Sequence, residues 1–368
     1  MPENDNGAQI NFNEQVRRAE LQRRIREVNE AARANIAARP RQDPPGVPRP
    51  ARQPNQVVMN DWANAIRANP DQEQQADVLR DADMAWIERV LNTPASTKKL
   101  PPESTVQHIY GITPIREAQS AMKAHKDANL FGIELEIEGW PEHYEESSST
   151  GFRFTHDGSL RGQSVEAIGY PNSIQGIIAT TKELWTKYGV DKKNFSERTS
   201  IHIHANVLNF TEDQIRSLML TYATLEDLLF DFIGQDRQKN IFCVPWSEAG
   251  IGVGRLKDIF NTPRAWQKYT ALNLCPIRTQ GTVEFRHMEG HADIDRLTTW
   301  LQIIDDILWY ARSTEYKVVF ETISNLNTNS EYYSWAGSVL KNSIGNFPYE
   351  QVRAKLARGV IEAKLLAI

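Results

Sequence analysis

The sequence predicts an α+β fold, a sheet with helices on one face and polar side chains on the other. Two observations carry this. The hydrophobic period changes from helical to alternating near residue 130, which marks the start of the main domain. The strand-like runs that follow are separated by single helices or long loops, not by the regular short crossovers of a wound parallel sheet. Strands are expected at 132–139, 164–169, 199–206 and 281–287, and helices at 173–188, 211–233 and 293–313.

The first strand is the most informative. In FGIELEIEGW (131–140), alternation sends Ile133, Leu135 and Ile137 to one face. Glu134, Glu136 and Glu138 go to the other, neighbours roughly 7 Å apart. A row of like charges holds only against water, arginines or divalent cations. The second strand carries Glu166, nine residues after a turn at Asp157-Gly158-Ser159. IHIHAN (201–206) puts Ile201 and Ile203 on the apolar face and His202 and His204 on the polar one. TVEFRH (282–287) does the same with Val283 and Phe285 against Glu284 and Arg286. Among the helices, 211–233 opens with TEDQ, so Thr211 and Gln214 can close a capping box.

Each polar face has an ordinary reading alone: a solvated acidic strand, surface histidines, a surface ion pair. Together they describe one sheet whose second face carries Glu, Asp, His and Arg. Oxygen ligands with an occasional imidazole and no thiolate favour magnesium or manganese over structural zinc. An arginine on that same face points to a phosphate.

Composition bounds the rest. The chain has 368 residues, a net charge of −5 and a pI near 6.0, so no global charge draws it to nucleic acid or an anionic membrane. Cys243 and Cys275 are too few for a disulfide framework and suit a reducing interior. There is neither a signal sequence nor an apolar run long enough to span a bilayer, so a soluble protein is expected. Residues 1–57 contain no lysine and are rich in Arg, Gln, Ala and Pro. They read as a disordered or marginally helical tail, either a tether to a protein partner or merely solvated. Helical signals broken by prolines fill 58–129, and FPYEQVRAKLARGVIEAKLLAI reads as a C-terminal helix within an extension over 316–368. GIGVGR (250–255) reads as a loop, since no clear strand precedes it. Trp246, Trp266 and Trp300 are expected in the core or along a pocket.

These pieces, in order, are FGIELEIE (131–138), DGSL with VEAIGYP (157–171), SIHIHAN (200–206), DRQKNIFCVP (236–245), KYTALNL (268–274) and GTVEFRHMEG (281–290). With them the chain resembles the amidoligases, a viral and bacterial branch of the glutamine synthetase-like carboxylate-amine ligases. The resemblance covers roughly 130–312, with the catalytic domain expected over 130–315. It departs after GTVEFRHMEG, where His291-Ala292-Asp293 stands in place of a Thr-Leu-Asp type helix start.

The resemblance implies a curved, mainly antiparallel glutamine synthetase-like sheet with an open polar active-site face. It also implies ATP-dependent amide or peptide bond formation through an acyl phosphate, with Mg²⁺ or Mn²⁺. By analogy Glu136 would join Glu166, with Asp157, at one metal, and Glu134 would join His202 and Glu284 at the other. Arg286 would neutralise the transferring phosphoryl group and His204 would sit near phosphate or substrate. Arg237 and Lys268 would lie near nucleotide or substrate carboxylate. Small-molecule or peptide substrates, no nucleic-acid or membrane partner, and the cytoplasm of a bacterium or phage-infected cell complete what it implies. Two other readings stay open: a degenerate ligase-like domain serving assembly through its tail, and a metal-dependent hydrolase using His202 and His204.

Overall fold

In a computed structural model the described residues are 104–140, 151–234, 237–238, 240–246, 249, 266, 268–326, 328–349 and 359. The expected tail (1–57), the lead-in as far as 103, GIGVGR and nearly all of the C-terminal helix lie outside them. The described strands are β1 (Phe131–Glu138), β2 (Phe152–Thr155), β3 (Ser164–Asn172), β4 (Ser200–Asn206), β5 (Leu272–Asn273) and β6 (Thr282–Glu289). The α-helices are α1 (Val106–Tyr110), α2 (Arg116–Ala124), α3 (Ile174–Tyr188), α4 (Glu212–Ile233), α5 (Ile294–Ser313), α6 (Tyr316–Asn325) and α7 (Asn329–Val339).

The six strands form one antiparallel sheet in the order β2, β3, β1, β4, β6, β5, which bears out the α+β class. Alternation works as the sequence expects. Ile133, Leu135, Ile137, Ile201, Ile203, Val283 and Phe285 are all buried on the face that meets the helices. α3 lies against β1 and β3, α4 lies against β6, and α5 packs across α3 and α4. In α5, Leu297, Trp300, Leu301, Ile304, Ile307, Leu308 and Ala311 follow the three-and-four spacing of a buried stripe. The Trp300 ring reaches Phe285 at 6.3 Å and His287 at 5.2 Å between centroids.

Helix starts are set by short polar side chains. Thr211 and Gln214 close the expected capping box on α4. Such a cap contributes about 1 kcal/mol. Asp293 caps α5, accepting from the amides of Asp295 and Arg296. The unusual His-Ala-Asp start thus keeps its capping carboxylate. Gly139 ends β1 with φ 66°, a left-handed turn that leaves Glu138 at the last strand position.

Two register irregularities shape the polar face. β6 places Phe285 opposite Ile203 and Met288 opposite Ile201, so Arg286 and His287 together face the single residue His202. One extra residue on one strand is a β-bulge, which turns a side chain out of the regular ladder. Ordinary alternation sends Arg286 to the polar face and His287 to the helix face, and the extra residue then brings buried Met288 opposite Ile201. The second lies in β3 near Tyr170 and Pro171, between the pairs Phe131 with Asn172 and Ile133 with Gly169. Proline, which lacks an N–H, is at home in such a break.

Candidate active site

Register alone brings the polar residues together. Glu136 lies opposite Glu166 on β3, Glu134 opposite His202 on β4, and His204 opposite Glu284 on β6. Asn273 on β5 completes the row beside Glu284, donating Nδ2–H to its Oε2 at 2.6 Å. These side chains border a cavity of about 410 Å³. The face is recessed, since Glu136, His202, His204, Glu284 and Arg286 are each less than a tenth exposed. Phe242, Lys268, Tyr269 and Pro276, from the segments between α4 and β6, form part of its wall.

At one end Glu136 accepts from Ser200 Oγ, and that hydroxyl also meets His202 Nε2 at 2.8 Å. Glu166 accepts from Thr155 at 2.9 Å. Burial, then the negative charge of Glu134, pushes the Glu166 carboxyl above its ordinary range. Asp157 borders the same end, its Oδ1 accepting from the amide of Ser159 at 2.8 Å in the expected turn. Arg198, a loop residue, donates to the Ser159 carbonyl at 3.3 Å and also borders the cavity.

At the other end Glu134, His204 and Glu284 each offer a ligand atom within 4.8 Å of the others. His204 Nε2 lies 3.1 Å from Glu134 Oε1 but is not aligned for a hydrogen bond, while its Nδ1 meets Thr282 Oγ1 at 3.0 Å. Burial alone would raise the Glu134 carboxyl. The imidazoles of His204 and His202 against it outweigh that and hold it well below the carboxylate range. Burial would likewise lower His204, yet the Glu134 charge raises it. His202 stands between the two ends, its Nδ1 3.3 Å from both Glu134 and Glu284.

Arg286 pairs with Glu284 through Nη1 and donates Nε–H to the Phe242 carbonyl at 3.0 Å. Burial would lower the guanidinium and raise the carboxyl, but each charge overrides this for the other: Arg286 is raised and Glu284 lowered. The Arg286 guanidinium lies 5.5 Å from the Tyr269 ring centre and Lys268 Nζ lies 5.4 Å from it.

The structure therefore brings Glu134, Glu136, Asp157, Glu166, His202, His204, Lys268, Glu284 and Arg286 to one cavity. It does not bring Arg237 there. That buried side chain donates to the carbonyls of His287 (2.9 Å) and Arg286 (3.0 Å), clamping the β6 bulge from behind. The first strand's third carboxylate, Glu138, also stays outside, accepting from the amide of Arg161 at 2.9 Å. Trp246, Trp266 and Trp300 are all in the core. Sequence reasoning missed Ser200, Asn273, Arg198, Phe242 and Tyr269. Ser200 was within reach, because it shares the period-two face of His202 and His204. Arg198 sits in an irregular loop and gave no such signal.

Among the described residues lining the cavity, five carboxylates (Glu134, Glu136, Asp157, Glu166 and Glu284) face three permanent cations, Arg198, Lys268 and Arg286. One of the three is already paired. The donors are oxygens and imidazoles without a nearby thiolate, since burial pushes the Cys275 thiol up to about 11. Hard divalent cations suit such a set.

Residues 142–308 match the family described as "putative amidoligase enzyme". The match begins after β1, so Glu134 and Glu136 join the site through sheet register with the matched strands. A comparison with curated proteins finds no match. No helix among the described residues is long and apolar enough to cross a membrane.

Proposed function

We propose, from the premise that residues 142–308 belong to the amidoligases, a family of ligase-type enzymes, that the chain joins a carboxylate to an amine at the expense of ATP. The observation that carries this reading is the single recessed cavity holding an excess of carboxylates beside a buried arginine and a lysine.

A carboxylate is a poor electrophile because its leaving group would be oxide. In the proposed reaction a substrate carboxylate oxygen takes the γ-phosphoryl group of ATP, releasing ADP. The amine nitrogen then attacks the acyl carbon, inorganic phosphate leaves with the C–O electron pair, and the amine loses a proton. Divalent cations bound here would supply charge screening between the anionic carboxylate and the polyphosphate. Glu136 and Glu166, with Asp157, would hold one. Glu134, His204 and Glu284 would hold the other, so His204 takes the ligand role expected for His202. His202, bonded to Ser200 and near both carboxylates, orients the two sets.

Arg286 is suited to the transferring phosphoryl group because it is already fixed by Glu284 and the Phe242 carbonyl, so little reorganisation accompanies charge transfer. Lys268 would neutralise a further phosphate or the substrate carboxylate. Arg237 is left out of nucleotide binding and braces β6 behind the cavity through the Arg286 and His287 carbonyls.

The test is ATP turnover with Mg²⁺ across a panel of carboxylates, with hydroxylamine as amine. ADP and hydroxamate are expected in equal amounts, both dependent on the cation. ADP release without hydroxamate for every carboxylate, or amide hydrolysis that needs no ATP, refutes the reading.

A further inference from the structure

A second cavity of about 500 Å³ adjoins the first and shares Glu134, His204, Thr279 and Gln280 with it. Its character differs. Away from the shared edge much of the wall is apolar, with Ile112, Pro114, Ile115, Ile168, Tyr170 and Pro171, while Glu117 and Arg153 also border it. Ile168 and Tyr170 follow Glu166 at period two on β3, so on this strand the carboxylate gives way to apolar side chains, with Arg153 of β2 opposite Ile168 as the charged neighbour. The β3 irregularity at Tyr170 and Pro171 lies at this end, next to α2. Ile115 is 57% exposed and Tyr170 39% exposed, two of the few large hydrophobic side chains left to solvent among the described residues. Water-facing apolar groups at the edge of a charged site mark a surface that a ligand covers.

We infer that this cavity receives an apolar side chain of the substrate, aliphatic or aromatic, such as that of a leucine or phenylalanine residue in an amino acid or short peptide. The inference rests on the ligase reading for the reacting end. A substrate whose reacting group lies at Glu134 and His204 has the rest of its body within reach of Ile168 and Tyr170, because these residues stand beside the shared edge. The volume exceeds that of a single side chain, which leaves room for the adjoining backbone of an amino acid or peptide. Selectivity would come from burial: an apolar side chain should be preferred over hydrogen by about tenfold to a hundredfold. The wall is built partly from the segment before α2, which like β1 lies outside the matched residues 142–308.

The experiment pairs wild type with Ile115→Asp and Tyr170→Ser. Both side chains are exposed, and Ile115 is the N-cap of α2, a position where aspartate is favoured, so folding is retained. Calorimetric binding without ATP is measured for glycine-, leucine-, phenylalanine- and glutamate-containing dipeptides, and ADP release for the same panel. The leucine and phenylalanine peptides are expected to bind at least about tenfold tighter than the glycine peptide. Both variants should erase that preference, bringing the leucine and phenylalanine peptides to within about twofold of the glycine peptide's affinity for the same variant. Turnover that favours glutamate or glycine, or a preference insensitive to both variants, overturns this inference and leaves the ligase reading standing. Preferential binding of the apolar peptides with no ATP turnover keeps the subsite and sinks the ligase reading. Equal binding across the panel, with or without turnover, overturns the subsite.

Discussion

Replacing Arg286 tests the charge arrangement at its centre. The guanidinium and the Glu284 carboxylate are both buried and paired, and Asn273 supplies Glu284 with its other hydrogen bond. Arg286→Met would leave Glu284 ionised among His202, His204 and Glu134 without its main counter-charge. Breaking a buried pair by removing one partner costs roughly 3–5 kcal/mol, a fall in melting temperature on the order of 10 °C. The double replacement Arg286→Met with Glu284→Gln removes both charges, keeps an acceptor for Asn273, and should recover most of that loss. Phosphoryl transfer should nevertheless stay lost in both proteins, because neither holds a positive charge at this position. Thermal denaturation of the three proteins, followed by Mg²⁺-dependent ADP release below their melting temperatures, separates the effects. The reasoning fails if Arg286→Met melts with wild type, or if the double variant turns over ATP at the wild-type rate.

Two further outcomes are expected. Wild type should bind Mn²⁺ at two sites by electron paramagnetic resonance titration, and Glu136→Gln and Glu134→Gln should each weaken one of them by about tenfold or more; unchanged titrations in both variants would dismiss the two-cation arrangement. His287, buried behind the site, is held neutral with its pKa lowered from 6.5 to about 3, first by burial and then by the Arg237 charge. The unfolded chain therefore binds a proton below 6.5 that the folded chain refuses until about 3, so this group contributes full stability above 6.5 and loses it as pH falls through that window. The slope is roughly 1.4 kcal/mol per pH unit. Urea denaturation between pH 4 and 7 should give a shallower acid loss for His287→Gln than for wild type, and parallel curves would refute it.

Alternation carried most of the site before any tertiary contact was known. In 131–138, 201–206 and 282–286 the apolar residues face the helices and the charged residues and histidines share the other face, as expected, while His287 faces the helices. Strand period is a local property, set by backbone geometry and readable from the chain alone. What alternation could not reveal is which polar residues meet. Glu134 and Glu138 have the same parity in one strand, yet only Glu134 finds imidazoles across the ladder, while Glu138 accepts from the Arg161 amide.

The two arginines show the same division. By sequence Arg237 and Arg286 were both candidates for phosphate or nucleotide. Alternation sends Arg286 into the cavity and His287 toward the helices, but it reveals neither the β6 bulge nor Arg237, which closes behind on the two bulge carbonyls. A bulge depends on the partner strand's register, and a clamp depends on where a distant loop returns. Neither is encoded in spacing along one segment. By itself the sequence determined the α+β class, the helix cap at Thr211, and the set of charges assigned to one face. Only the tertiary structure decided which of them share a cavity, because pairing across strands brings together residues up to 150 positions apart, as with Glu134 and Glu284.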